Sequence, residues 1–172
     1  FIRVHGTTDN EYFLLKETEG DILKYYIDLQ KDDLSKEEYE KINCYILAVR
    51  QSIHAAKSVN DIRHNLKAFQ KSGNNYLFNK YNKFQVEWKA FERACRRLLA
   101  EKNEDDLRND VESSLKQAFK HFEENKQSIE KPLRNQELDK MEASTLLNVY
   151  HEILSSRKAL LRAIALLKLK EN

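Results

Sequence analysis

Leu77, Tyr81, Phe84, Trp88, Phe91, Cys95 and Leu98 follow one another at steps of four and three without a miss. Apolar side chains at that spacing share one side of an α-helix, and the series needs about six unbroken turns. A strand, with its period of two, would scatter them over both faces. The rest of the chain allows more of the same. Its 172 residues include only three Gly and one Pro, and 34% are charged, which suits long helices with solvated outer faces. The expected fold is therefore all-α, an elongated antiparallel bundle of about five long helices some ~50 Å long.

The expected helices span 9–31, 35–72, 75–102, 104–130 and 135–169. They form one domain over 9–172, preceded by an extended arm over 1–8. The first carries Tyr12, Leu15, Ile22, Tyr26 and Leu29, with Gly20 marking a bend. Ser35 and Glu38 form a capping box that opens the second. That helix has an early stripe of Tyr39, Ile42, Ile46, Val49 and Ile53 and a late one of Ile62, Leu66 and Phe69. Ile53 and Ile62 point in opposite directions, so the helix either changes faces along its length or is packed on two sides. Gly73-Asn74-Asn75 stops it. The third helix carries the opening series, with Trp88 at its centre, and is expected to be the most buried. Asn103 to Asp106 starts the fourth and Pro132 ends it. Asn135-Gln136-Glu137 opens the fifth, whose face holds Leu138, Met141, Thr145, Val149, Ile153, Leu160, Ile164 and Leu167.

A net charge of +2 is too small to argue for nucleic acid. Cys44 and Cys95 have neither a disulfide framework nor metal-ligand spacing, and reduced thiols are expected. No apolar run reaches the ~20 residues of a membrane span. The chain starts at Phe1 instead of Met, which fits processing or excision from something longer.

One stretch of the second helix is too polar for simple packing. His54, Ser58, Asp61 and Asn65 recur at steps of four, three and four, with Lys57 and His64 beside them. The face reads as a polar seam, a binding surface or a place for chemistry at His54. His54-Ala55-Ala56-Lys57-Ser58 resembles the His-x-x-Lys-Gly core of histidine phosphotransfer domains, with Ser58 where those have Gly. Asp61-Ile62-Arg63-His64 has half the spacing of a dinuclear metal site, but the second copy is missing. There is no Gly-rich phosphate loop. Asp32/Asp33 and Asp105/Asp106 sit at helix starts, where acidic residues belong. No catalytic residue, cofactor or metal is expected. Two basic groups, Lys89, Arg93, Arg96 and Arg97 on the third helix and Lys158, Arg162, Lys168 and Lys170 on the fifth, are candidates for an anionic membrane surface or an acidic partner.

A wider resemblance covers about a third of the chain. Ala48-Val49-Arg50 through His54-Ala55-Ala56-Lys57-Ser58 to Asp61-Ile62-Arg63-His64-Asn65-Leu66 looks like the PhoU-type domain of bacterial sodium/phosphate cotransporters. Ser144-Thr145-Leu146-Leu147-Asn148-Val149, Glu152-Ile153, Ser155-Ser156 and Lys158-Ala159-Leu160 are similar to that group's closing helix. The resemblance implies a PhoU-like fold and a non-enzymatic regulatory or structural domain on the cytoplasmic side of the inner membrane. Its partner would be a phosphate-transporting membrane domain preceding Phe1, or a neighbouring copy. PhoU proteins bind metal through Glu/Asp-x-x-x-Asp, whereas here Lys57 takes the first acid's place and Lys158 falls near the second repeat's. An internal Lys57–Asp61 pair is expected instead of a metal. The alternatives are a phosphotransfer protein using His54 and a plain helical-bundle adaptor.

Overall fold

A computed structural model describes residues 8–30 and 34–169. Among them there are helices and no strands: α1 Thr8–Leu29, α2 Lys36–Asp61, α3 Arg63–Gln70, α4 Asn75–Ala100, α5 Glu104–Gln127, α6 Glu130–Arg134 and α7 Lys140–Lys168. α2 and α3 are one rod with a single-residue interruption, and α6 is a short turn after α5, so the expected five long helices are present. Residues 1–7 of the expected arm, and the turn at 31–33, lie outside the described residues, while Thr8 already belongs to α1.

The ends form as local chemistry dictates. Ser35 accepts from the Glu38 N–H while the Glu38 carboxylate accepts from the Ser35 N–H, the expected capping box. Asn74 caps α4 through the Tyr76 N–H at 2.9 Å, and its Nδ2 donates to the Glu137 carbonyl at 2.8 Å. One side chain thus starts α4 and holds the segment before α7. Asn103 caps α5 through the N–H groups of Asp105 and Asp106. α1 runs through Gly20 without a break, and nothing lies within 4 Å of where its Cβ would be.

Three boundaries differ from expectation. α5 stops at Gln127, not at 130, and so ends five residues before Pro132. α2 does not run unbroken to residue 72: Ile62, at φ −98° and ψ 0°, interrupts it. α7 opens at Lys140, not at 135. Its cap is a second capping box, Asp139 with Glu142, which outcompetes the polar Asn135-Gln136-Glu137. Pro132 lies inside α6, in the first turn where a missing N–H costs little. Gln136 then takes a left-handed φ of 60° and reverses the chain. Leu138, expected on a helix face, plugs the end of the core from this loop at 2% exposure.

Helices joined by short turns alternate in direction, so α4 and α7 run parallel, with α2 and α5 antiparallel to them. α7 is the hub. It packs along α2 and α5 and also meets α3 and α4. It buries eleven residues, against four in α4, so the third long helix is not the most buried. A heptad series reveals which side of a helix faces inward, whereas burial depends on how many sides have neighbours. Of the two expectations for α2, packing on two sides is the one observed. Its Tyr39–Ile53 stripe faces α1, where Tyr26 meets Tyr39. Its Ala48–Ala55–Ile62 stripe lies on the opposite side, toward α7. Small residues, Ala48 and Ala55 on α2 with Ser156, Ala159 and Ala163 on α7, let the two axes approach closely.

The core is divided. One apolar cluster gathers Ile62, Leu66, Phe69, Leu77, Tyr81, Phe84, Leu146, Val149 and Tyr150. A second gathers Leu98, Leu107, Val111, Leu161 and Ile164 at the other end. Between them α4 and α7 contribute Glu87, Trp88, Ser156 and Arg157.

Candidate functional site

The polar stretch of α2 splits between environments. His54, Lys57, Asp61 and His64 form an exposed stripe, Ser58 is buried, and Asn65 is half-buried. Lys57 Nζ donates to Asp61 Oδ2 at 2.8 Å, and this contact raises the Lys57 pKa. His54 Nε2 lies 3.2 Å from Ser155 Oγ on α7. The stripe therefore runs along the edge of the α2–α7 seam. Among the described residues no three His, Cys, Asp or Glu side chains are grouped to hold a metal ion.

The two basic groups come to the same end of the bundle, because α4 and α7 are parallel and their last turns share the second apolar cluster. Lys89, Arg93, Arg97 and Arg162 are exposed and Lys168 is half-buried. Arg96 Nη2 is tied to Glu92 at 2.7 Å. Lys158 stands 5.2 Å from the centre of the Phe119 ring. Lys170 is outside the described residues. The acidic start of α5, Glu104-Asp105-Asp106, lies at this end too, so the surface is mixed in sign. Glu101 accepts from the N–H groups of Asn103 and Lys102, which with Lys168 nearby hold its carboxyl below the usual range.

Sequence reasoning missed a cleft of about 330 Å³ between α1, α2, α4 and α7. α2 presents Ser52, Ala55, Ala56, Val59 and Asn60 to it, and Arg63 of α3 extends the row. These positions lie between the side of α2 that meets α1 and the side that meets α7. Trp88 closes the cleft from α4, Ser156 and Leu160 from α7, and Glu11, Tyr12 and Leu15 from α1. The cleft exists because alanines stand where a bundle helix could carry bulk. Asn60 and Ser156 line it, but Asn60 Oδ1 and Ser156 Oγ are themselves closed off from solvent and have no hydrogen-bond partner. The signal in the sequence is the small-residue run at 55 and 56.

The middle of the bundle holds a second unusual group. Arg157 lies 5.5 Å from the centre of the Phe91 ring and beside Glu87. Burial pushes the Cys95 thiol up to about 11, so it stays protonated and unreactive near neutral pH. Neither Cys44 nor Cys95 forms a disulfide. Nearer the start of α4, Lys80 Nζ donates to Ser128 Oγ at 2.8 Å and stands 5.0 Å from the centre of the Tyr76 ring. Burial first, and the Lys83 ammonium second, push Lys80 down to about 8. Lys83 Nζ donates to the buried Asn125 Oδ1 at 3.0 Å. These bonds join α4 to the end of α5 and read as structural.

Among the described residues no helix is long and apolar enough to cross a membrane. No family profile, curated protein or solved structure matches the chain.

Proposed function

We propose that the chain is a non-enzymatic regulatory or structural module of a sodium-dependent phosphate transporter, a PhoU-like bundle working on the cytoplasmic side against the membrane-embedded part of that assembly. One observation carries the reading. The two stretches that resemble PhoU-type domains fall on α2 with the start of α3, and on α7, and α2 and α7 pack along each other. The resemblance thus lies on the central seam of the fold rather than on scattered surface turns. The polar stripe supports a contact role over a catalytic one, since Lys57 is committed to Asp61 and His54 to Ser155. The exposed cations Lys89, Arg93, Arg97 and Arg162 at one end suit a surface near anionic lipid, where each is worth about 1 kcal/mol and is screened by salt.

The test is phosphate uptake by cells making the natural protein, intact or with this chain excised. Excision should change sodium-dependent uptake or its response to phosphate supply. Identical uptake under both conditions would remove the transporter reading and leave a helical adaptor. The purified chain should also bind weakly to anionic vesicles, with loss at high salt and no binding to neutral ones.

A further inference from the structure

α1 is a long helix with little to rest on. It packs along α2, and none of its described side chains is buried. Phe13, Leu14, Tyr25 and Ile27 each keep more than half of their surface in water. A single exposed apolar residue is ordinary, whereas four on one 22-residue helix mark a face without a partner. We infer that this face pairs with α4 of a second copy of the chain, and that two such contacts, related by a two-fold axis parallel to the bundle, make a dimer.

Charge selects the partner. α1 carries six carboxylates and two lysines, while α4 carries six cations and two carboxylates. An acidic, apolar helix face is repelled by a copy of itself and by anionic lipid, and it suits a basic, apolar one. α4 offers such a face on the side opposite its buried series. There Val86 is 68% exposed, with exposed Lys89, Arg93 and Arg97 following it. Among the described residues, Glu17, Asp21, Lys89 and Arg93 have no ion-pair partner within the chain.

Spacing, direction and height agree. On α1, Leu14, Glu17, Asp21 and Tyr25 follow at steps of three, four and four, and on α4 so do Val86, Lys89, Arg93 and Arg97. Laid side by side and parallel, the two series match Leu14 with Val86, Glu17 with Lys89, Asp21 with Arg93, and the Tyr25 ring with the Arg97 guanidinium. Within one copy α1 and α4 already run parallel, as alternate members of the bundle. Tyr12 and Leu15 line the cleft together with Trp88, so the two series also stand at about the same height. A two-fold axis along the bundle preserves direction and height, so one contact generates the other.

The test is sedimentation of the whole chain. It is run without lipid, because the pairing uses Lys89, Arg93 and Arg97, cations that the transporter reading offers to a membrane surface. Its failure leaves that reading untouched. At about 50 μM the chain should sediment as a dimer that dissociates on dilution. Raising salt to about 0.5 M should raise the Kd about ten-fold through screening. Asp21→Lys and Arg93→Glu should each be monomeric, with melting curves like wild type, since both positions are exposed. Mixed in equal amounts, the two variants should dimerise, because both contacts of the mixed pair again join opposite charges. Mixing could not restore an ion pair made within one chain. If either variant fails to fold, Glu17→Lys with Lys89→Glu replaces the set. A wild-type chain that stays monomeric at about 50 μM overturns the dimer. A dimer that survives either single variant, or variants that do not rescue each other, overturn the α1–α4 pairing. Higher oligomers overturn the two-fold axis.

Discussion

Arg157 of α7 places its Nη2 3.5 Å from Oε2 of Glu87 on α4, with 7% and 14% of the two side chains exposed. The pair sits where the core divides, and Arg157 Nε has no hydrogen-bond acceptor. A charge withdrawn from water depends heavily on its one counter-ion. Glu87→Gln should therefore cost about 3–5 kcal/mol in urea unfolding, since it strands the guanidinium. The double change Glu87→Leu with Arg157→Met should cost clearly less than the single one. A Glu87→Gln chain as stable as wild type would show that the pair is effectively solvated.

The two ends of the α4 series should respond differently. Phe84 is 6% exposed, inside the first cluster and 5.4 Å from the Tyr150 ring. Phe84→Ala should cost about 3–5 kcal/mol. Trp88 is half-buried and faces the cleft, so Trp88→Ala should fall short of that range. Equal costs in urea unfolding would place Trp88 in a closed core.

His54 should carry no phosphoryl group. Its neighbouring cation, Lys57, is held by Asp61, whose negative charge also stands on the same face. Incubation with acetyl phosphate should leave no acid-labile label, and added divalent metal should leave the melting curve unmoved. Asp61→Ala should lower the melting temperature slightly, an effect that high salt erases. Stoichiometric label lost in His54→Ala would revive the phosphotransfer reading.

Lys80 gives a pH signature. Its folded pKa is about 8, below the ordinary 10.5. Between those values the unfolded chain holds the extra proton, so stability contributed by this group rises with pH across that window and is flat below it. The melting temperature of wild type minus that of Lys80→Met should climb from pH 8 upward. A flat difference would mean that Lys80 is solvated.

Gly20 lies in an exposed helix interior with open space around it. Gly20→Ala should stabilise the chain by about 0.5–1 kcal/mol, read as a higher urea midpoint.

The helices were legible because their signals are local. Ser35 with Glu38, Asn74 and the four-three series each act within one or two turns. The break at Ile62 was not legible, since no Gly or Pro marks it. The second capping box, Asp139 with Glu142, is just as local, but the polar run Asn135-Gln136-Glu137 before it carries a competing start signal. The identity of the hub was illegible for a different reason: burial on several sides depends on which helices are neighbours, and periodicity within one helix does not encode that. The cleft was hidden likewise, because a gap is made by residues from five helices. Ala56 and Ser156 mean little until α2 lies beside α7.

The central position of α7 has a consequence for synthesis. His54 waits for Ser155, a partner 101 residues later in the chain. At about 5–20 residues per second, the ribosome leaves the inward face of α2 uncovered for some five to twenty seconds. During that interval α1 can shield only the opposite flank. The central seam of the fold therefore closes only when almost the whole chain has been made.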